Sequence, residues 1–489
     1  MNTLAIIGGG AAGLAAAVES ARCARQRGAD LRVVVYEADQ KVGRSILRSG
    51  NGRCNFSNAG ISAWDEGALA ELYCNGGFVA QVLQELERSG KIADPADDVP
   101  LDAACNQVLA FFRSLGLAWR VEGEGRMYPY ANKAQSLLDA LRAAMADLGV
   151  EVRLEALVSS VEPPRSAGGP VTLRMADGSF ERAGQVIVAV GGTLGSELLG
   201  DAAEFLPTRP VLGPLAALPL FEGAAAGAGQ ACGVDGRGAS ASGSGDFAPS
   251  SRKARAKGKG RKKGAAAEPG ASAVLNGLDN IRVRCTVALA RPGRDGGLQP
   301  VAQESGEVLF RKYGLSGIAV FNLSRFAQPG DVLQVDLLPE LSLEQATAWL
   351  LRRCADAGTG GLAGAAATAT TTADMLQGFL LPNVARAVCL AAGERADAPA
   401  RSADAAALAA ACKGLAFQVQ GVGDVKQCQV HAGGVDVSQV SPRTLQLASC
   451  SQIRVVGEAL DIDAPCGGYN LHWAWASGLL AARSAAADL

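Results

Sequence analysis

Uninterrupted apolar runs alternate with helical patterning along this chain, most sharply at its start. Leu4–Ile7 is a short apolar run that ends in Gly8-Gly9-Gly10-Ala11-Ala12-Gly13, and alanine-rich helical sequence follows through Arg27. A second apolar run, Leu31–Tyr36, closes on Glu37. The order strand, glycine turn, helix, strand, acid predicts a βαβ unit whose turn accepts a dinucleotide. Gly8 permits the tight turn, Gly10 the approach of a pyrophosphate, and Gly13 the close packing of helix on strand. The phosphates belong at the helix N-terminus, where unpaired N–H groups and the dipole favour negative charge. Glu37 is placed to accept hydrogen bonds from an adenosine ribose. NAD and FAD both remain open on this stretch.

Further on, Lys41–Asn58 is rich in Gly, Asn, Ser and Arg and reads as a backbone-rich loop. Helical pattern runs through Leu69–Arg88, Ala104–Leu115 and Lys133–Leu148, the last closing on Gly149. Val150–Val158 and Val171–Met175 read as strands, and Gln185–Val190 is a continuous apolar run, the mark of a strand buried on both faces. It ends in Gly191-Gly192. Leu278–Leu289 and Val308–Leu338 carry short strands with glycine turns, the pattern of a small antiparallel β unit. Leu341–Ala355 and Asp404–Lys413 read as helices, Phe417–Val430 and Ile453–Val456 as strands, and Leu471–Ala482 as the closing helix.

Composition alters this picture in two places. Gly223–Ala273 collapses into Gly, Ala, Ser and Lys/Arg, with eight basic residues in the twelve positions Arg252–Lys263. Such a stretch buries too little apolar surface to offset its ordering entropy and is expected to be a disordered excursion inside a domain. Gly358–Thr372 is a second low-complexity piece; its glycines follow no strand and mark no second nucleotide site. Elsewhere 489 residues with 48% hydrophobic and 19% charged positions describe a globular chain of two or three domains. A net charge of −2 gives no overall field toward nucleic acid or membrane. The twelve cysteines contain no C-x-x-C pair and there are only two histidines, His431 and His472, so no structural metal is expected. With no secretory pattern and no bilayer-length apolar run, a cytoplasmic protein with reduced thiols is expected.

The densest chemistry lies near the end: Gly457-Glu458-Ala459-Leu460-Asp461, then Cys466-Gly467-Gly468-Tyr469-Asn470 opening a helix. A strand running into G-E-x-x-D sets carboxylates at the C-terminal edge of a parallel sheet, where ligands bind. The helix after Gly467-Gly468 directs its positive end at whatever occupies the loop; for a flavin that is the N1–C2=O edge.

Three stretches together resemble the bacterial BaiN-like flavoproteins, the aminoacetone oxidase-type FAD-binding enzymes. They are the N-terminal G-G-G-A-A-G, the S-G-N-G-R-C-N-F-S-N of Ser49–Asn58, and the C-terminal H-A-G-G-V, V-G-E-A-L-D-I-D and C-G-G-Y-N-L-H-W-A-W-A-S-G. Leu309–Ser324 is a weaker fourth. The resemblance implies an α/β fold: a discontinuous Rossmann-type FAD domain (1–205 and 416–489) interrupted by a β-barrel-like substrate domain (206–340, enclosing 223–273) and a helical insert (341–415). It also implies that Gly8, Gly10 and Gly13 meet the pyrophosphate, with Ala12 also counted as cofactor-binding, Glu37 the ribose, and Arg44, Asn51, Gly52 and Arg53 the flavin and phosphate side. Val158 meets the adenine through its backbone, and Gly191 borders the pyrophosphate crossing. Asp461 takes the ribityl or pyrophosphate end, Gly457 and Glu458 are counted with the cofactor-binding residues, and Gly468, Tyr469, Asn470 and Leu471 lie at the pyrimidine edge.

Four positions and one stretch depart from the family pattern: Ser45 for lysine, Val190 for threonine, His431 for threonine, His472 for glutamine, and the residues after Gly192, which lack the usual glycine-rich continuation. His472, His431 and Cys54 are the candidate catalytic groups, and Cys466, like Cys54, is a thiol in a glycine-rich loop that would face the flavin. Each also has a plain packing or hydrogen-bonding reading. The implied activity is FAD-dependent oxidoreduction of a small-molecule substrate, with NAD(P)H as a transient donor: either reduction of a steroid or bile-acid enone, or oxidation of an amine such as aminoacetone. An RNA-binding flavoprotein anchored by Arg252–Lys263 is the alternative of another class, although no aromatic residues are interleaved there; nucleic acid is not the expected partner.

Overall fold

The computed structural model describes residues 2–61, 66–90, 106–166, 168–193, 196–220, 271–357 and 371–488. The basic run Arg252–Lys263 and most of both low-complexity stretches lie outside them. The chain divides into two compact units: Met1–Ala216 with Ser316–Ala327 and Gly421–Leu489, and Ala217–Leu315 with Gln328–Gln420.

The first unit is built on a six-stranded sheet in the order Gln446–Leu447, Cys450–Val455, Gln185–Val188, Asn2–Ile7, Leu31–Tyr36, Glu151–Arg153. Every neighbouring pair is parallel except the first. Its central strands are the uninterrupted apolar runs of the sequence, and Leu4, Ala5, Ile6, Val34, Val35, Val186, Ile187, Val188, Ile453 and Val455 are all at most 1% exposed. Period-2 alternation is missing because neither face meets solvent.

Helices Ala11–Arg27 and Tyr469–Ala487 pack against each other with small residues at the crossing: a Cβ on Gly478 would lie 2.4 Å from the Ala12 carbonyl oxygen. Trp473 and Trp475 are buried, and their indole N–H groups donate to the carbonyls of Gly457 and Phe56, both at 3.0 Å. Arg483 of the last helix pairs with Glu19 of the first at 2.8 Å, both side chains under 10% exposed. Three smaller sheets complete the unit: Ser57–Asn58 with Arg126–Pro129 and Trp119–Val121; Val158–Glu162 with Val171–Met175 and Phe180–Ala183; and the ribbon Phe205–Val211 with Val430–Val435.

The second unit holds a closed six-stranded barrel of Leu215–Pro219, Gly314–Ser316, Leu298–Arg311, Arg282–Pro292, Val332–Asp336 and Leu415–Val422. Val287, Leu289, Val308, Phe310, Leu333, Val335 and Phe417 are fully buried, as the inward positions of a small barrel filled by side chains should be. Helices Leu343–Asp356, Pro382–Ala391 and Ala405–Lys413 follow in the same unit. The first starts with a reciprocal capping box between Ser342 and Gln345, and Asp404 caps the last.

The observed elements correct several sequence expectations. Leu69–Arg88 is two helices, Glu66–Leu72 and Gly76–Arg88, because Asn75 takes a left-handed conformation between them. Its side chain reaches the Asp461 carbonyl at 2.7 Å, a tertiary contact that overrides local periodicity. Val150–Val158 is not one strand but two ends, Glu151–Arg153 in the large sheet and Val158–Glu162 in a small one. Within Val308–Leu338 lies a short helix, Ile318–Leu323. Among the described residues no helix is long and apolar enough to cross a membrane.

Candidate functional site

Four adjacent parallel strands end side by side, and their C-terminal turns carry the marked residues. Asn2–Ile7 runs into Gly8, Leu31–Tyr36 into Glu37, Gln185–Val188 into Gly191 and Cys450–Val455 into Gly457. The ladder continues into the turns through Gly8 N–H to Tyr36, Ala189 N–H to Ile7 and Val456 N–H to Val188, at 2.8 to 3.0 Å. This is the edge where open α/β sheets bind ligands.

The first glycine turn is compact. Gly8 sits at φ +104°, and a Cβ there would lie 2.4 Å from the Ala189 carbonyl oxygen; one on Gly13 would lie 2.0 Å from that of Gly8. Gly10 is different: a Cβ there would meet only Ser45 Oγ, at 3.4 Å. The helix that follows has Gly10 as its N-cap, no side-chain cap and no acid in its first turn. The last helix starts in the same way, with Gly468 as N-cap, no side-chain cap and no first-turn acid. Two helix N-termini in glycine loops are thus left without the side-chain partners that normally satisfy them. Such a donor set suits a long ligand with an anionic diphosphate and an electron-rich ring edge, and FAD fits it.

Glu37 pins the turn it faces: Oε2 accepts from Gly9 N–H and Oε1 from Asp39 N–H, both at 2.8 Å. Asp461 accepts from Gly433 N–H at 2.8 Å. Glu458 accepts from the His431 backbone N–H at 2.5 Å, and His431 Nδ1 lies 3.2 Å from the same oxygen. Gly192 closes this group, because a Cβ there would meet Glu458 Oε1 and His431 Cβ, both at 2.5 Å. The Glu458 carboxylate holds His431 above the ordinary histidine value.

The loop Ser49–Asn58 docks on the start of the last helix. Asn58 Nδ2 donates to the Gly467 carbonyl at 2.9 Å, and Ser57 Oγ lies 2.9 Å from His472 Nδ1. Gly468, at φ +99°, passes so close that a Cβ would lie 2.3 Å from the Ser57 carbonyl oxygen. These contacts join two of the resembling stretches in space.

Other expected site residues have commitments of their own. Arg53 pairs with Glu122 and Asn132 and lies 3.9 Å over the Tyr128 ring. Arg44 pairs with Asp39 and is exposed. Asn51 and Gly52 have positive φ, with Asn51 exposed and Gly52 half-buried. Asn470 folds back on the main chain of Ala464, accepting at 2.9 Å and donating at 2.7 Å. Tyr469 and Leu471 are half-buried, and the Tyr469 carbonyl accepts from Tyr73 at 2.9 Å. Val158 is buried at the start of a small sheet.

Two of the catalytic candidates are buried. His472 is 1% exposed, and burial drives it down to about 3, so it stays neutral as the partner of Ser57. Cys54 is fully buried, and burial pushes its thiol up to about 12, away from thiolate chemistry. His431, its side chain 32% exposed, keeps a titrating ring at the site.

Sequence reasoning missed the residues that brace the loop from 461 to 466. Arg325 donates to the Asp463 carboxylate and, at 3.0 Å, to its carbonyl, and Asn322 Oδ1 accepts from Cys466 N–H at 2.9 Å. Both lie in Ser316–Ala327, beside or within the weak motif Leu309–Ser324. That motif was the only available signal.

A family model described as the HI0933-like protein Rossmann domain matches residues 102–484, and one described as an NAD(P)-binding Rossmann-like domain matches residues 6–67. A 3-dehydro-bile acid delta(4,6)-reductase of Clostridium scindens is 28% identical, over 99% of each chain. Ribosomal RNA dihydrouridine synthases of Escherichia coli and Haemophilus influenzae are 25% and 22% identical, over 98% of this chain and 98% and 97% of theirs. With its paired glycine turns, the acid after the second strand and a family match over most of its length, the chain belongs to the HI0933-like (BaiN and aminoacetone oxidase-type) FAD-binding Rossmann family and is an FAD-dependent oxidoreductase.

Proposed function

We propose that this protein is an NAD(P)H-linked reductase of carbon–carbon double bonds conjugated to a carbonyl, with a steroid-type enone as substrate class. One observation carries the reading. The C. scindens relative, matched end to end, is named for reducing a delta(4,6) system on a 3-dehydro bile acid. The two dihydrouridine synthases add weight, because saturating a uracil ring also reduces a C=C bond conjugated to a carbonyl.

In this reading the helix Ala11–Arg27 and the Gly8–Gly13 turn hold the diphosphate, and Glu37 orients the adenosine ribose. Val158 offers its backbone to the adenine. Gly191 borders the diphosphate crossing, Asp461 takes the ribityl or diphosphate end with Gly457 and Glu458 beside it, and Arg44, Asn51, Gly52 and Arg53 border the flavin and phosphate side. Gly468–Leu471 present N–H groups to the pyrimidine edge. When bound, FAD supplies two-electron chemistry between a nicotinamide and the substrate carbon. The chain's own contribution is orientation and fixed positive potential where negative charge develops. The nicotinamide binds transiently.

The test is a visible spectrum of the purified protein, followed by anaerobic titration with NADH and NADPH. The reading expects bleaching of the flavin band and its return on adding a 3-keto-4-ene steroid. Bleaching by aminoacetone, with no response to either nicotinamide, would overturn it in favour of an amine oxidase. Return of colour with uridine-containing ribosomal RNA, and not with the steroid, would move the substrate class to nucleobases.

A further inference from the structure

Glu458 presents an unusual charge problem. It stands with Asp461 at the sheet edge where an anionic cofactor must lie, and among the described residues its side-chain bonds all go to His431. No arginine or lysine pairs with it there. The elements packed around His431 supply little else that titrates. The turn Gly191–Thr193 has no ionisable side chain, and the facing strand Phe205–Val211 carries only Arg209, whose guanidinium donates to the carbonyls of Ser324 and Arg325. The segment Gly457–Ala459 brings Glu458 itself, with Asp461 bonded to Gly433 two positions along the strand Val430–Val435. Cys466 packs with Val430 and Ala432, the positions flanking His431 on the other side of the strand.

We propose that His431 is the counter-charge of the cofactor site: protonated, it neutralises Glu458 and lets that acid stand beside the diphosphate–ribityl stretch of FAD. The inference rests on the FAD site described above and assigns His431 to cofactor retention rather than to proton transfer at the ring. Geometry supports this placement, since His431 abuts Gly192 in the turn after Gln185–Val188, not the Gly468 loop at the pyrimidine edge. Glu458 raises the affinity of His431 for its proton before any ligand arrives, and a bound diphosphate adds to the same effect. By linkage, the proton must then strengthen FAD binding to the same degree. A partly exposed charge contact of this kind is expected to change affinity about fivefold, equivalent to a shift of about 0.7 unit in the histidine midpoint.

The chain makes the test clean, because it has two histidines and the other, His472, stays neutral down to about pH 3. Full-length protein labelled with ¹³C-histidine is titrated from pH 5.5 to 8.5, stripped and FAD-loaded, while FAD affinity is measured by flavin fluorescence over the same range. The expected result is a midpoint for His431 that rises on loading, and affinity that weakens about fivefold as pH climbs through it. H431Q should bind FAD at every pH with the weaker affinity of the high-pH wild type, and E458Q, which removes the charge that raises the His431 midpoint, should move the pH step to lower pH. A midpoint that falls or stays put on loading, or an undiminished pH step in H431Q, would overturn the inference. Failure of the unmutated protein to bind FAD at any pH would instead overturn the cofactor assignment beneath it.

Discussion

Replacing Arg325 with methionine tests how the loop carrying Asp461, Asp463 and Cys466 is held. The Arg325 and Asp463 side chains are 8% and 5% exposed, and the guanidinium also reaches the carbonyls of Asp463 and Leu72 at 3.0 and 3.3 Å. Methionine keeps a flexible apolar stem but strands the Asp463 carboxylate away from water and removes the donor from two carbonyls. Removing one partner of a buried pair costs about 3–5 kcal/mol, mostly from the uncompensated charge left behind. With a urea m-value of about 3 kcal/mol per M or more for a unit of this size, the midpoint should fall by about 1 M. The assay is a urea titration of the FAD-loaded protein followed by flavin release and by far-UV circular dichroism. R325M/D463L removes the stranded charge and should recover most of the loss, giving a strong positive coupling in the double-mutant cycle. A single-variant midpoint within about 0.2 M of wild type would refute the reasoning, because the pair would then contribute little to holding the loop.

The glycine turn separates fold from binding: G10A, whose Cβ meets only Ser45 Oγ at 3.4 Å, should fold normally yet bind FAD at least about tenfold more weakly, whereas G13A, with its Cβ 2.0 Å from the Gly8 carbonyl oxygen, should fail to give soluble folded protein. Thermal melts with FAD titrations check both, and a G10A protein with unaltered affinity would remove the turn from the site. His472 sets an acid limit. Its folded value, about 3, lies below the unfolded one, so the unfolded chain binds the extra proton and stability falls as pH drops from about 6.5 toward 3. The slope is at most about 1.4 kcal/mol per pH unit from this residue, and H472Q melts across pH 4–7 should show it reduced. Cys54, buried with its thiol near 12, should resist an aromatic disulfide reagent in the native protein and react on unfolding; rapid native labelling, located by peptide mapping, would contradict that burial.

The parts legible in the sequence are those written in consecutive residues. The apolar runs Leu4–Ile7, Leu31–Tyr36 and Gln185–Val190 identify strands covered on both faces, Gly8 and Gly13 follow from the steric demands of one turn, and Gly10 and Glu37 stand where a dinucleotide-binding turn places them. The sheet edge at Gly457–Asp461 is readable for the same reason. Tertiary structure decided what depends on neighbours far along the chain. Nothing local shows that Ser316–Ala327 joins the first unit, because Arg325 and Asn322 acquire their meaning only from Asp463 and Cys466, more than a hundred residues on. Nor does any period show that Arg53 is spent on Glu122 and Tyr128, or that Asn470 turns back to Ala464. The chain's two histidines look alike in sequence; burial beside Ser57 silences His472, and the Glu458 carboxylate keeps His431 charged to higher pH. Desolvation and pairing are properties of surroundings, and the fold alone supplies those.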